Sequence, residues 1–174
     1  MNEIERSMEK PDPSYEVAVL GAGCFWGVEE ILRKVPGVIN TTVGYSGGTT
    51  PDPTYRQVCT GSTGHAEVVK VEFDPEKLTY EELLDYFFRL HDPTTLNRQG
   101  NDMGTQYRSV IFYQDDEQKK VALKKKQEID RSGKWQNPVV TEVTASRPFY
   151  PAEEYHQDYL QKNPDGYSCH YLRD

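Results

Sequence analysis

The chain has no apolar run approaching the about 20 residues that a membrane-spanning helix needs. Its hydrophobic residues, 36% of 174, fall in short periodic blocks instead. It also lacks an excess of positive charge. A net charge of −8 argues against a protein that holds nucleic acid by neutralising phosphates. The one dense basic run, Lys119 to Lys126, follows Asp115, Asp116 and Glu117. Acid first and base later matches a helix dipole, so the run reads as a solvated helix face. Cysteine is scarce: three residues, at 24, 59 and 169, are too few and too scattered for a disulfide framework. The odd count fits a reducing compartment and points to the cytoplasm. The opening MNEIERSMEKPDP has no apolar segment of the kind a secretory signal carries. Residues 1–14 read as a mobile arm, 15–162 as one α/β domain and 163–174 as a separate tail.

What the sequence does contain is an alternation of strand and helix patterns. Tyr15 to Leu20 reads as a short buried strand that runs into GAGCFWG. From Gly27 onward, Val28, Ile31, Leu32 and Val35 recur at helical spacing until Pro36-Gly37. Strands are expected at Val38 to Tyr45, Ala66 to Phe73, Tyr107 to Tyr113 and Val139 to Ala145. A brief helical turn is expected around Tyr55 to Cys59. Thr79 opens a helix with Tyr80, Leu83, Leu84, Phe87 and Phe88 on one face, and a last short helix is expected from Ala152 to Lys162. Together these indicate a single α+β or α/β layer sandwich.

Cys24 falls between a strand end and a helix start. A cysteine is a nucleophile as its thiolate, and a helix N-terminus favours the anion through unpaired N–H groups and the dipole. The glycines at 21, 23 and 27 allow a tight turn and leave the sulfur approachable. Phe25 and Trp26 would waste apolar area on a solvent-facing turn, but they suit the walls of a small apolar pocket. Two other patterns cross the same segments. Gly21-x-Gly23 lacks the third glycine of a dinucleotide loop, since Trp26 stands there. His65-Ala66-Glu67 matches half of the zinc deaminase signature, and the P-C-x-x-C half is missing. A hydrolase pairing Cys24 with His65 or His156 is a further possibility.

Period two along Ala66 to Phe73 places Glu67 on the apolar face with Val69, Val71 and Phe73. Burial raises a carboxyl pKa and makes a proton donor near neutral pH. Tyr55 and Tyr107 could donate hydroxyl hydrogen bonds, although chemistry alone does not single them out among twelve tyrosines. Asp102, in NDMGTQY, suits a loop-capping residue. Cys169 sits in a tail after Asn163-Pro164-Asp165-Gly166, where a mobile second thiol suits a resolving cysteine. Cys59 reads as a bystander.

The segments GCFWG (23–27), PTY (53–55), TGHAEVV (63–69) and NDMGTQYRS (101–109), continued by YPAEEYHQDYL and NPDGYSCH, resemble the type A peptide methionine sulfoxide reductases over about residues 15 to 172. That resemblance implies a mixed α/β sandwich with a ferredoxin-like core. It also implies reduction of the S epimer of methionine sulfoxide, free or in peptides and proteins, without metal or organic cofactor. Carried over by motif, Cys24 is the nucleophile, Phe25 and Trp26 hold the substrate methyl, and Glu67 is the acid. Tyr55 and Tyr107 donate hydrogen bonds to the sulfoxide oxygen, and Asp102 supports the site. Cys169, the one cysteine of the tail, resolves the sulfenic acid as a Cys24–Cys169 disulfide that thioredoxin reduces.

Overall fold

The computed structural model describes residues 14–174, so the expected arm lies outside the described residues except for Ser14. Five longer strands carry the sheet: β1 (Glu16–Ala22), β2 (Val38–Ser46), β3 (Ala66–Phe73), β6 (Ser109–Tyr113) and β7 (Glu142–Ala145). A short β8 (Phe149–Pro151) completes one edge, and β4 (Arg98–Gln99) with β5 (Asp102–Met103) forms a separate hairpin. The helices are α1 (Phe25–Leu32), α2 (Tyr55–Cys59), α3 (Tyr80–Leu90), α4 (Asp116–Arg131) and α5 (Tyr159–Lys162).

The sheet order is β7-β6-β1-β3-β2-β8. Every neighbouring pair is antiparallel except β6 with β7. Its centre, β6-β1-β3-β2, is built from two β-α-β crossovers through α1 and α3, which is the ferredoxin-like arrangement that the resemblance implied. The central strands are buried on both faces. Leu20, Val43, Val69, Val71 and Phe73 join residues of α1 and α3 in the main core, while Val19, Ala66, Val68, Val110 and Phe112 form a smaller cluster. Local chemistry fixes the helix starts. Thr54 with Gln57, and Thr79 with Glu82, each form a reciprocal capping box, and Asp115 accepts from the Gln118 N–H.

Three segments depart from the periodicity reading. The expected strand from Tyr107 begins at Ser109, because residues 105–107 form a 3-10 turn. The strand expected from Val139 pairs only from Glu142, since the Val139 and Val140 N–H groups bond to Asp130 Oδ1 and the Pro93 carbonyl instead. The single helix expected over 152–162 is divided. Residues 154–156 are a 3-10 turn, and Asp158, at φ 55°, breaks the chain before α5. Side chains hold that broken path. The buried Gln157 amide accepts from the Val43 N–H and donates to the Val43 and Ala152 carbonyls at 2.9–3.0 Å.

Glu29, on α1, holds the next residue. Its carboxyl accepts the Asp158 N–H at 2.8 Å and the Thr41 hydroxyl at 2.8 Å, and Arg33 reaches both Glu29 and Asp158. The side chain is almost wholly buried, and burial pushes its carboxyl up to about 7 against these stabilising donors. The folded state therefore binds a proton that the unfolded chain has released. Stability conferred by the neutral form is present below the ordinary glutamate value and declines as pH rises toward 7. Equilibrium urea unfolding should show the wild type losing stability relative to Glu29→Gln between about pH 5 and 8, by on the order of 2–3 kcal/mol. A pH-independent difference between the two would show that Glu29 is charged throughout.

Candidate active site

The turn between β1 and α1 presents the candidate nucleophile. Gly23 takes φ +98°, and a Cβ there would sit 2.7 Å from the Gln99 side chain, so only glycine lets the chain turn this tightly. Cys24 is the N-cap residue of α1 and makes no side-chain cap. The helix begins at Phe25, two residues earlier than the spacing indicated, so Phe25 and Trp26 project from its first turn. Cys24 is 7% exposed: buried, with a small opening to solvent.

Glu67 of β3 lies under that helix mouth. The Phe25 N–H, an orphan donor of the first turn, bonds to Glu67 Oε1 at 3.1 Å. Oε2 is buried without a hydrogen-bond partner, which an ionised carboxylate could not sustain cheaply. Burial, opposed by the Phe25 N–H and reinforced by the Asp102 charge, pushes the Glu67 carboxyl up to about 8. At neutral pH the group is a protonated acid, as the strand pattern anticipated. Its charge, when present, would disfavour ionisation of Cys24, Tyr55 and Tyr107 alike, so these groups surround it.

The thiol itself corrects the sequence reading. Burial first, then the Glu67 charge, drives Cys24 far above the ordinary thiol range, and the Trp26 N–H opposes this only in part. The helix mouth helps the anion, but dehydration outweighs it in the resting site. Burial thus biases both Cys24 and Glu67 toward their neutral forms. Tyr55 and Tyr107 are likewise pushed up by burial and by Glu67, which keeps both hydroxyls as donors. Tyr55 opens α2, and Tyr107 ends the 3-10 turn after β5, so the two arrive from unrelated loops.

Of four further residues at the site, three escaped the sequence reading, and His156 entered it only as a hydrolase partner for Cys24. Glu153 accepts the Tyr45 hydroxyl at 2.8 Å on one oxygen and the Tyr55 N–H at 2.9 Å on the other. It thereby fastens α2 to the core. His156 Nδ1 accepts the Trp26 indole N–H at 2.9 Å, and its ring lies 4.4 Å from that of Tyr55. Burial lowers the His156 imidazole to about 4, so it is neutral and can accept this bond. Tyr159 stacks on Trp26 at 3.9 Å and 10°. Tyr45, fully buried, packs beside Phe25. Three of the four lie in YPAEEYHQDYL, which was legible as a motif but offered no periodicity that would assign roles.

The tail does reach the site. It has neither helix nor strand, but its half-buried Cys169 is held 3.8 Å from Asp102 Oδ2 and 3.9 Å from the Gln99 carbonyl. Asp102, read from sequence as a loop cap, thus faces the tail thiol. Further along, Arg173 bonds to the Arg89 carbonyl and lies over the Trp135 and Tyr171 rings, and Lys134 meets the Asp174 carbonyl oxygen. In this state, with all three thiols free, the tail is docked and not loose. Cys59 is exposed at the end of α2, near Tyr55.

The competing assignments lose their catalytic histidines. His65 uses Nδ1 to accept the Gly48 N–H and Nε2 to donate to the Thr50 carbonyl, so it holds the loop after β2 and is committed. His156 Nδ1 is taken by Trp26. Among the described residues no cluster of three or more His, Cys, Asp or Glu side chains could hold a metal ion, and no helix is long and apolar enough to cross a membrane.

Comparison with known proteins agrees with this geometry. The family model described as peptide methionine sulfoxide reductase matches residues 16–174. A peptide methionine sulfoxide reductase MsrA of Methanothermobacter thermautotrophicus is 58% identical over 150 residues, covering 86% of this chain and 89% of the relative. The crystal structure of Mxr1 from Saccharomyces cerevisiae in reduced form superposes with a TM-score of 0.90 at 44% identity, covering 95% of this chain and 96% of that one. The same yeast protein in complex with Trx2 gives 0.66 at 30% identity, with 96% of each chain covered. With its motifs, fold and thiol–carboxyl site in agreement, this chain belongs to the peptide methionine sulfoxide reductase family.

Proposed function

We propose that the chain reduces the S epimer of methionine sulfoxide, free or in peptides and proteins, with Cys24 as nucleophile and Glu67 as acid. One observation carries the assignment. A buried carboxyl is fixed by the Phe25 N–H beneath the thiol-bearing turn, with its second oxygen unpartnered. A sulfoxide sulfur resists attack until its oxygen is protonated or strongly hydrogen-bonded, so thiol and acid must act together.

In this reading the substrate methyl lies against Phe25 and Trp26, and its oxygen meets Glu67, Tyr55 and Tyr107. Glu67 gives its proton to the oxygen as Cys24 Sγ attacks the sulfur, and the proton lost by Cys24 restores Glu67. The oxygen ends on Cys24 as a sulfenic acid, and methionine leaves. The thiol need not be ionised at rest, because dehydration holds both protons in place until attack on the sulfur makes the substrate oxygen basic enough to take the Glu67 proton. Cys169 then condenses with the sulfenic acid, releasing water and forming the Cys24–Cys169 disulfide. Asp102 orients the tail thiol or the substrate main chain. The complex of the yeast relative with Trx2 supports thioredoxin as the reductant of that disulfide. The three-part division into arm, catalytic domain and tail belongs to this reading. So does a cytoplasmic location, supported by the odd, scattered cysteines.

Rapid-quench single turnovers with one equivalent of methionine S-sulfoxide test the acid directly. Glu67→Gln should release methionine about 10²-fold more slowly than wild type, the usual worth of a positioned acid. An unchanged rate would remove Glu67 from the reaction. Glu153→Ala should lower kcat/KM about 10- to 100-fold by freeing Tyr55 and leaving two donors unpaired. Glu153→Gln, which can still accept from the Tyr55 N–H, should retain most activity. Equal losses in the two variants would mean that the charge of Glu153, and not its hold on Tyr55, is what matters.

A further inference from the structure

The tail residue after Cys169 has an arrangement that the cycle above does not use. His170 Nε2 donates to the Ala22 carbonyl at 2.7 Å, at the end of β1. A neutral imidazole whose Nε2 carries the proton has a lone pair on Nδ1. That lone pair faces Cys169 Sγ at 3.7 Å. The imidazole is seated, not merely adjacent: a Cβ added at Gly27 would lie 2.5 Å from His170 Nδ1, and one added at Gly23 would lie 3.2 Å from Nε2. The two glycines that frame the nucleophile therefore also make room for this ring against the first turn of α1.

We propose that His170 is the general base of the resolving step, taking the Cys169 thiol proton as Cys169 attacks the Cys24 sulfenic acid. The inference rests on Cys24 and Cys169 being the disulfide pair. The S–H bond of Cys169 breaks, and its proton passes to His170 Nδ1. The freed sulfur lone pair forms the S–S bond to Cys24, and the S–O bond of the sulfenic acid breaks. The leaving hydroxide takes the proton from the His170 imidazolium and departs as water. The Cys24 sulfur is reduced as the Cys169 sulfur is oxidised, so no outside electron donor enters.

A base is needed here because burial raises the Cys169 thiol and the Asp102 charge adds to it, with the Tyr167 hydroxyl opposing them only in part, leaving little thiolate at neutral pH. The other acceptors near the thiol are the Gln99 carbonyl and the Asp102 carboxylate. A carbonyl does not take a proton, and a carboxylate is ordinarily the weaker base by about two units. His170 stays neutral because burial lowers it, with the Ala22 carbonyl and Asp102 pulling upward and Arg173 downward. His91, the remaining titratable neighbour, is itself held neutral, since burial lowers it to about 3.

The test uses the full chain, one equivalent of methionine S-sulfoxide and no external thiol. Quenched samples are trapped for sulfenic acid and mapped by mass spectrometry. His170→Asn and His170→Gln should release methionine within about two-fold of the wild-type rate, which shows that the fold and first step are intact. Both should form the Cys24–Cys169 bridge about 10²-fold more slowly at pH 7, with the deficit closing as pH rises and hydroxide replaces the imidazole. Bridge formation at the wild-type rate overturns the proposal. So does a deficit of constant size from pH 6.5 to 9.5, which would mark His170 as a clasp for the tail. A wild-type enzyme that forms no such bridge would instead sink the disulfide reading on which the proposal stands.

Discussion

The hydrogen bond from the Phe25 N–H to Glu67 Oε1 joins every part of this site. It uses a donor that any helix start leaves unpaired, and it spends that donor on a carboxyl instead of on the thiol beside it. The acid is thereby fixed in register with Cys24. Because β3 pairs with β1 across five residues, from Glu16 with Phe73 to Leu20 with Val69, the strand bearing Glu67 cannot slip relative to β1, which ends at Ala22, two residues before Cys24. A one-residue shift would turn Glu67 to the other face of the sheet. The placement of Glu67 against Cys24 is thus set by the sheet register together with the tight Gly23 turn that follows β1.

The same environment serves recognition and proton control. A pocket that distinguishes a methyl thioether from water must be apolar, and an apolar pocket keeps acids protonated. In the proposed reaction Phe25, Trp26, Tyr55 and Tyr159 would provide the hydrophobic wall, and burial at this place raises Cys24, Glu67, Tyr55 and Tyr107 together. A thiolate at rest would be the more reactive nucleophile, but it would also be open to oxidants that carry no methyl group. Holding the thiol neutral ties its reactivity to a substrate whose oxygen can receive the proton of Glu67.

How much of this was legible in the sequence follows from how local each signal is. Cys24, Phe25 and Trp26 are consecutive at a strand-to-helix junction with clear periodicity on either side, so the junction needed no tertiary information, although the helix takes in Phe25 and Trp26 as its first turn. Glu67 was legible because an acid on the apolar face of a strand breaks an alternation that its neighbours keep. Tyr55 and Tyr107 were indistinguishable from ten other tyrosines until motifs named them, since a hydroxyl carries no sequence-level mark of its direction. The helix expected over 152–162 failed for a definite reason. Its sequence has helical composition, but Glu29 and Val43, more than a hundred residues away, draw off the backbone and amide groups of Gln157 and Asp158. Tertiary partners overrode local preference there, and that override is what brings His156 and Tyr159 to Trp26.

That outcome also explains why the aromatic wall is assembled from both ends of the chain. Trp26 has a polar indole N–H and a large apolar face, and a helix turn cannot satisfy both alone. His156 takes the N–H and Tyr159 covers the face, with the left-handed Asp158 between them setting the angle at which each arrives. Glu29 holds Asp158 from one turn further along the helix that carries Trp26. The helix thus fixes the partners of its own tryptophan through one of its own carboxylates. Any disturbance of Asp158 would reach the substrate wall before it reached the sulfur. In the proposed reaction the acid sits on the sheet and the thiol on the turn that caps α1, whereas recognition would depend on a returning segment held by a few buried hydrogen bonds, so the two would fail separately.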